Sequence, residues 1–369
     1  MATTGRRSGV RVNRQPISNL EGAMIREAIM SLVAGHTLSE AEAAAAMDEI
    51  MTGAATPSQL GAFLVALRLK GETVDEVTGM ARGMRRAGVH VTLPPQTRAV
   101  DTCGTGGDGA DTFNVSTAAG LVVASLGQPV AKHGNRAASS RCGSADVLEA
   151  LGVKLDLGPD AVAQCIERTG FGFMFAPTYH PAMRHVGPTR REIGVRTVFN
   201  ILGPLTNPAG AQYQCLGVAD AALAPLMAQA LLRLGCERAL VIHGLDGVDE
   251  FSLSGPTLVA EVRGERGDVV EYQVTPQSVG LPERAREDVR GGDAQYNAAL
   301  LRRTLSGEQT GGAADIVALN AGAALYVAGR APSIADGVRQ AQGALRVGRA
   351  IPTLDALIAT SQRLAATVA

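Results

Sequence analysis

Between Arg98 and Leu126 the chain passes from a short apolar strand through a glycine-packed turn into an apolar helix. No other stretch limits the fold as sharply. Arg98-Ala-Val-Asp-Thr reads as strand, Gly104-Thr-Gly-Gly-Asp-Gly109 as turn, and Ser116 to Leu126 as helix. A strand that turns directly into a helix belongs to a layered α/β fold with parallel strands. Gln128 to Lys132 supplies a second short strand, and Ala239-Leu-Val-Ile-His243 a buried one. Leu258 to Val262 and Val269 to Val274 read as a hairpin-like pair, and signals between 275 and 315 are mixed. Helix returns at Ile316 to Val327 and Ser333 to Val347. The expectation is a large α/β domain with a mostly parallel central sheet.

Ahead of this region, residues from about 20 to 90 read as helix only. Glu21 to Ala34 carries Ile25, Ala28, Ile29 and Leu32 at helical spacing. Thr37 or Ser39 caps a second helix that runs to about Met51. Thr56-Pro57 opens a third, to Lys70, and Thr73 a fourth, to about Ala87. A small all-helical domain therefore precedes the α/β one. With 369 residues, 46% apolar and 19% charged, the chain has enough for a packed two-domain protein. Aromatics are only 3%, so close helix packing on Ala and Gly is expected. The net charge of −1 argues against a broad basic face for nucleic acid. No apolar run reaches the roughly 18 residues of a membrane span. Cys103, Cys142, Cys165, Cys215 and Cys236 form no CxxC pair, which fits a reducing cytoplasm. Arg6, Arg7, Arg11 and Arg14 make the first 20 residues a basic tail, with a transit peptide as the alternative.

The turn satisfies the G-x-G-x-x-G pattern of dinucleotide binders. That pattern also needs an acid about 20 residues on, to hold a ribose hydroxyl. No Asp or Glu occurs between Thr112 and Ala145, and the second strand runs into Lys132-His-Gly-Asn-Arg136. Such a cluster suits phosphate. Glycines let backbone N–H groups approach oxygen closely. Asn114-Val-Ser-Thr117 stands at the helix start, where the dipole favours an anion. Lys132, Arg136 and Arg141 give the span 112–145 a formal charge of +3, and Ser139 and Ser140 add hydroxyls. A plain loop before an ordinary capped helix would explain any one feature, though not their concentration.

Phosphate-rich substrates bring a metal, and Mg2+ takes carboxylates plus waters. Asp249-Glu250 follows the buried strand through a glycine-rich loop, with Asp246 as a weaker third carboxylate. A solvated loop is the blander reading of that pair. A second basic segment, from Pro177 to Thr197, holds His180, His185, Arg190, Arg191 and Arg196. Such a run serves either as a solvated face or as a source of Arg for a carboxylate substrate. His180, His185 and His243 have no spacing that compels metal binding.

Several long runs resemble the anthranilate phosphoribosyltransferase family. They are Asp101-Thr-Cys-Gly-Thr-Gly-Gly-Asp108, Asn114-Val-Ser-Thr117, Lys132-His-Gly-Asn-Arg136, Gly143-Ser-Ala-Asp146 and Leu148-Glu-Ala-Leu-Gly152. Arg196-Thr-Val-Phe-Asn-Ile-Leu-Gly-Pro-Leu-Thr-Asn-Pro208 and Phe63-Leu-Val-Ala-Leu-Arg-Leu-Lys-Gly71 carry the same resemblance, over roughly residues 20 to 350. It implies the nucleoside phosphorylase/phosphoribosyltransferase-like architecture. Residues 1–20 would be the tail and 21–95 the helical domain, to which about 178–205 returns. Residues 96–177 and 206–369 would form the α/β domain, with the site in the cleft.

The resemblance implies a homodimer that uses Mg2+. Its substrates would be 5-phosphoribosyl 1-pyrophosphate as donor and anthranilate as acceptor, in tryptophan biosynthesis. Carried over, Gly104, Gly107, Asp108 and Thr112 line the donor with Asn114, Val115, Ser116 and Thr117. Lys132, His133, Gly134, Asn135, Arg136, Ala137, Ala138, Ser139, Ser140 and Ser144 continue that surface. Ser116, Asp249 and Glu250 would hold magnesium. Gly104, Asn135 and Arg190 would meet anthranilate. No residue stands out as a general base. Cys142 departs from the family pattern, which often has a hydroxyl there. A pyrimidine nucleoside phosphorylase and a non-catalytic nucleic-acid-binding relative of the same fold are the rival readings.

Overall fold

The computed structural model describes residues 23–137 and 140–368. The basic tail, Ala138 and Ser139 lie outside them. Helices α1 (Ala23–Val33), α2 (Glu40–Thr52), α3 (Pro57–Lys70) and α4 (Val74–Ala87) form the N-terminal bundle. Three carry capping boxes: Ser39 with Glu42, Thr56 with Gln59, and Thr73 with Glu76. The cap of α2 is thus Ser39. Glu76 is fully buried, takes Lys70 Nζ at 2.9 Å and also accepts the Leu38 N–H. Small residues bring α2 and α4 together. A Cβ on Gly79 would lie 2.9 Å from that of Ala43, and one on Gly83 2.8 Å from that of Met47.

The rest of the chain alternates. β1 (Val100–Gly104), α5 (Val115–Ser125), β2 (Val130–Gly134), α6 (Ser144–Ala150), α7 (Pro159–Thr169) and β3 (Phe171–Phe175) come first. Short helices α8 (Ala176–Tyr179), α9 (Gly187–Ile193) and α10 (Phe199–Leu202) follow. Next come β4 (Tyr213–Gly217), α11 (Leu223–Arg233), β5 (Arg238–Gly244), β6 (Thr257–Arg263) and β7 (Asp268–Val274). Helices α12 (Ala294–Ser306), α13 (Gly312–Val327), α14 (Ile334–Arg346) and α15 (Ala350–Val368) close the chain. The sheet order is β3-β2-β1-β4-β5-β6-β7. The first five strands in that order are parallel, and β6 and β7 are antiparallel.

Strands β3 and β4 escape the pattern reading. Phe-Gly-Phe-Met-Phe is a short apolar run without alternation, and β4 carries the polar Gln214. Gln214 tolerates burial because its amide reaches the Pro204 carbonyl at 2.7 Å. The same reading names none of α7, α11, α12 and α15. β1 and β2 each end two residues later than their sequence patterns suggest, so Gly104 and Gly134 close strands rather than open loops.

Two apolar cores result. One, under α5, α13 and α14, holds Val100, Leu121, Phe171 and Leu319 and takes in Val91 from the connector. The other joins Ile25, Met47, Phe63 and Met84 of the bundle to Leu216, Met227, Leu231 and Val241. The bundle therefore shares its core with one face of the sheet. The segment after β3 returns to it: α9 packs on α3.

Candidate active site

β1 and β4 lie side by side, and the chain leaves them toward opposite edges of the sheet. Their carboxyl ends therefore frame the crevice at which open α/β sheets take ligands. β1 ends at Gly104 and β4 at its register partner Gly217. The loop after β5 crosses both ends. A Cβ on Gly104 would sit 2.5 Å from Asp249 Oδ2, and one on Gly217 would overlap the Asp249 backbone. Both positions need glycine because this loop lies directly on them.

Three hydrogen bonds fasten that loop to the glycine turn and the helix. Gly106 N–H donates to Asp249 Oδ2 at 2.8 Å, and Ser116 N–H donates to Glu250 Oε1 at 3.1 Å. Asp108 closes the group, its Oδ2 accepting the Asp249 N–H at 3.3 Å. Burial pushes both the Asp249 and Glu250 carboxyls upward. The neighbouring Asp108 adds to the rise for Asp249, and Asp249 adds to it for Glu250. A divalent cation would relieve this crowding, and one or two carboxylates suffice for Mg2+ that also meets substrate phosphates. The residues thus fit a magnesium that arrives with its substrate. Among the described residues no cluster of three or more His, Cys, Asp or Glu forms a self-sufficient metal cage. Asp246 turns away, bonding Ser252 Oγ at 2.9 Å.

Beneath the turn, the basic cluster is not an open positive face. Lys132 is buried, its ammonium donating to the Thr102 carbonyl and, at 3.3 Å, to Ser116 Oγ. His133 packs against His180, ring centroids 5.0 Å apart. Burial first, and then the His180 charge, lowers His133 to about 3, so it is neutral at physiological pH. Arg136 is taken by acids: Glu149 in a two-armed pair at 2.7 and 3.0 Å, and Asp146 at 3.0 Å. Asp101, absent from the sequence candidates, anchors this layer. It accepts His133 N–H at 3.3 Å and Asn207 Nδ2 at 2.7 Å. Burial raises it to about 6.

The β2–α6 loop is tied to the first turn of α6. Ser144 Oγ donates to the Asn135 carbonyl at 3.4 Å, and Ala137 N–H to Asp146 Oδ2 at 2.9 Å. Asn114 joins Cys142 and Asn297: its Oδ1 accepts the Cys142 thiol at 3.3 Å and Asn297 Nδ2 at 3.0 Å. Val115 and Thr117 are buried, and Ser140 is exposed. Thr112 forms a bridge with Arg290. Asn297 and Arg290 carry no local pattern, so sequence alone did not mark them.

The returning segment supplies two arginines. Arg190, at the end of α9, stacks 5.5 Å over Phe199 and reaches Asn200 Oδ1 at 3.5 Å. Burial lowers its pKa. Among the described residues none of its hydrogen bonds reaches Asn135 or Gly104. Arg196 donates to the carbonyls of Gly107 at 3.1 Å and Gly106 at 3.2 Å. Its basic run is legible in the sequence, but this contact is not.

Residues 96–351 match the glycosyl transferase family a/b domain, and residues 26–88 its helical bundle domain. An anthranilate phosphoribosyltransferase of Rubrobacter xylanophilus is 55% identical over 342 residues, spanning 93% of this chain and 99% of the relative. One from Chloroflexus aggregans is 56% identical over 338 residues, spanning 92% and 98%. The crystal structure of the Thermus thermophilus enzyme of that name superposes with a TM-score of 0.86 at 49% identity, covering 91% of this chain and 99% of that one. The Saccharomyces cerevisiae enzyme in complex with PRPP and Mg superposes with a TM-score of 0.84 at 27% identity, covering 93% and 99%.

Proposed function

The chain belongs to the anthranilate phosphoribosyltransferase family, and on that premise we propose how its site works. The enzyme transfers the phosphoribosyl group from 5-phosphoribosyl 1-pyrophosphate to the amine of anthranilate, in tryptophan biosynthesis. The ribose C1–oxygen bond breaks, a C1–nitrogen bond forms, and pyrophosphate and one amine proton leave. One observation carries the site assignment. The glycine turn, the first turn of α5 and the Asp249-Glu250 loop are fastened together at the crevice by the Gly106 and Ser116 N–H bonds.

The donor's phosphates lie along Gly104, Gly107, Asp108, Thr112 and residues 114–117. Gly134, Asn135, Arg136, Ala137, Ser140 and Ser144 continue that surface, with Lys132 and His133 buried beneath it. Asp249, Glu250 and Ser116 would hold Mg2+, which when bound would offset the negative charge of the departing pyrophosphate. Each carboxylate spends one oxygen on a backbone N–H, leaving the other to face a cation. Lys132 Nζ, on Ser116 Oγ, steadies that hydroxyl. Arg190, Asn135 and Gly104 receive anthranilate, the guanidinium meeting its carboxylate. Anthranilate's amine is unprotonated at neutral pH, so alignment at C1 contributes more than a strong base would.

The cleft follows from a helical domain of residues 21–95, with about 178–205 returning to it, set against an α/β domain of 96–177 and 206–369. The enzyme works in a reducing cytoplasm; its five free, buried cysteines support that reading. No helix among the described residues is long and apolar enough to cross a membrane. The working form is a homodimer.

Loss of anthranilate fluorescence on mixing with Mg2+ and donor reads the reaction directly. The double variant Asp249→Asn/Glu250→Gln is expected to lose at least about a hundred-fold in turnover. Full activity in that variant would sink the metal assignment. Phosphorolysis of thymidine or uridine, without consumption of anthranilate, would replace the reading with that of a nucleoside phosphorylase.

A further inference from the structure

Asp249 holds the glycine turn by the Gly106 N–H, and Arg196 holds it by its carbonyls. Its two Nη atoms take the carbonyls of Gly107 and Gly106, at 3.1 and 3.2 Å. The fit is close: a Cβ on Gly107 would come within 3.1 Å of Nη2 and 3.2 Å of Cζ. Gly106 and Gly107 both have positive φ, at 66° and 76°, so the turn has the freedom that glycine confers and nothing intrinsic to fix its orientation.

A trans peptide carries its C=O and N–H on opposite sides. The carbonyl of Gly106 shares a peptide with the N–H of Gly107, and that of Gly107 with the N–H of Asp108. A guanidinium holding both carbonyls therefore turns both N–H groups to the opposite side. Two successive N–H groups facing one way make an anion-binding concavity. We propose that Arg196 is a positioning residue for the donor: it orients the glycine turn so that the Gly107 and Asp108 N–H groups present themselves to phosphate. This rests on the reading that the turn holds the donor's phosphates.

The same segment ties this grip to the acceptor side. Thr197 N–H donates to Asn200 Oδ1 at 2.9 Å, and that oxygen also takes Arg190 Nη2 at 3.5 Å. At the other end, Gly106 N–H meets Asp249. Hydrogen bonds, joined by the Arg196–Thr197 peptide bond, thus run from Arg190 through Asn200, Thr197, Arg196 and the turn to Asp249.

Arg196 is exposed, so replacing it leaves the core intact. The test uses Arg196→Ala and Arg196→Lys in the full chain, read by steady-state kinetics and by backbone amide NMR. In the wild-type protein, magnesium and phosphoribosyl pyrophosphate should shift the Gly107 and Asp108 amides. Absence of any shift there would fail the turn assignment itself, separately from Arg196. In Arg196→Ala these two amides should already be displaced before ligand is added. The donor KM should rise about ten-fold, with kcat changed less than three-fold. Lysine, lacking the two-armed fork, should restore only part of the KM. An unchanged donor KM would overturn the proposal. So would a raised KM with unaltered amides in the ligand-free variant, because Arg196 would then touch the donor rather than orient the turn.

Discussion

Cys142 shows how one atom can decide how firmly a loop is held. Its thiol donates to Asn114 Oδ1, while Asn114 Nδ2 returns a bond to the Cys142 carbonyl at 3.1 Å. Burial pushes the thiol up to about 11, so at neutral pH it keeps its proton and remains a donor. Sulfur is nonetheless a weak donor. A hydroxyl at this position would make the same bond more strongly. Cys142→Ser should therefore keep the donor KM within two-fold of wild type, with an equal or higher melting temperature. Cys142→Ala leaves Asn114 Oδ1 with Asn297 alone, and should raise the donor KM about three-fold. Equal KM values for the alanine and wild-type proteins would show that Asn114 does not rely on this contact. Asn114 and Cys142 both stand inside runs that are readable in the sequence. Asn297 does not, because it lies 183 residues from Asn114 and only folding brings them together. Arg196 was visible as a member of a basic run. Its grip on the turn depends on where the segment returns, which no local pattern encodes.

At the scale of elements, β2 and the segment after β3 meet through two buried histidines, His133 and His180. Neither Nε2 has a hydrogen-bond partner among the described residues. Burial is the main cause of both low pKa values, about 3 for His133 and about 4 for His180. In the unfolded chain each would titrate near 6.5. As pH falls below that value the unfolded state binds protons that the folded state refuses, so stability drops down to about pH 4. At pH 5 this amounts to about 2 kcal/mol per ring. Asp101, raised to about 6, and the raised Asp249 and Glu250 act with the opposite sign. A difference measurement removes them. His180→Gln should be less stable than wild type at pH 7.5, and the gap should narrow or reverse at pH 5, by urea denaturation at both values. A gap that stays constant would mean that His180 titrates normally. The elements themselves were legible to different degrees. The capped helices α2 to α4 and the β6–β7 pair announce their ends with Ser, Thr, Pro and alternation. β3 and β4 do not, since a five-residue strand buried on both faces has no periodicity to read.

On the scale of the whole molecule, the bundle is held to the sheet as well as to itself. Arg85 of α4 donates to the Leu205 carbonyl at 2.7 Å and to that of Leu234, just past α11, at 3.3 Å. With a shared apolar core behind it, α4 forms the inner side of the bundle. The outer side is α1 and α3, which pack on one another. There, beside the exposed Arg26, Glu27 and Arg68, stand several large apolar side chains. Met30 is 64% exposed, Val33 73% and Leu69 83%, with Val65 at 39%. Water gains nothing from such groups, and removing a face of this kind from solvent is the ordinary drive to self-association. Each copy would need to cover about 800 Å² for a stable pair, which two adjacent helices of 11 and 14 residues can supply. A second copy, docked by a two-fold axis, would meet the same patch and cover it in a closed dimer. The wild-type protein should therefore elute at twice the chain mass in light-scattering chromatography. Met30→Glu with Leu69→Glu places two like charges per subunit in that contact. The variant should run at the single-chain mass, with an unchanged far-UV spectrum. A wild-type monomer would remove the dimer altogether. A variant that still dimerises would place the interface elsewhere.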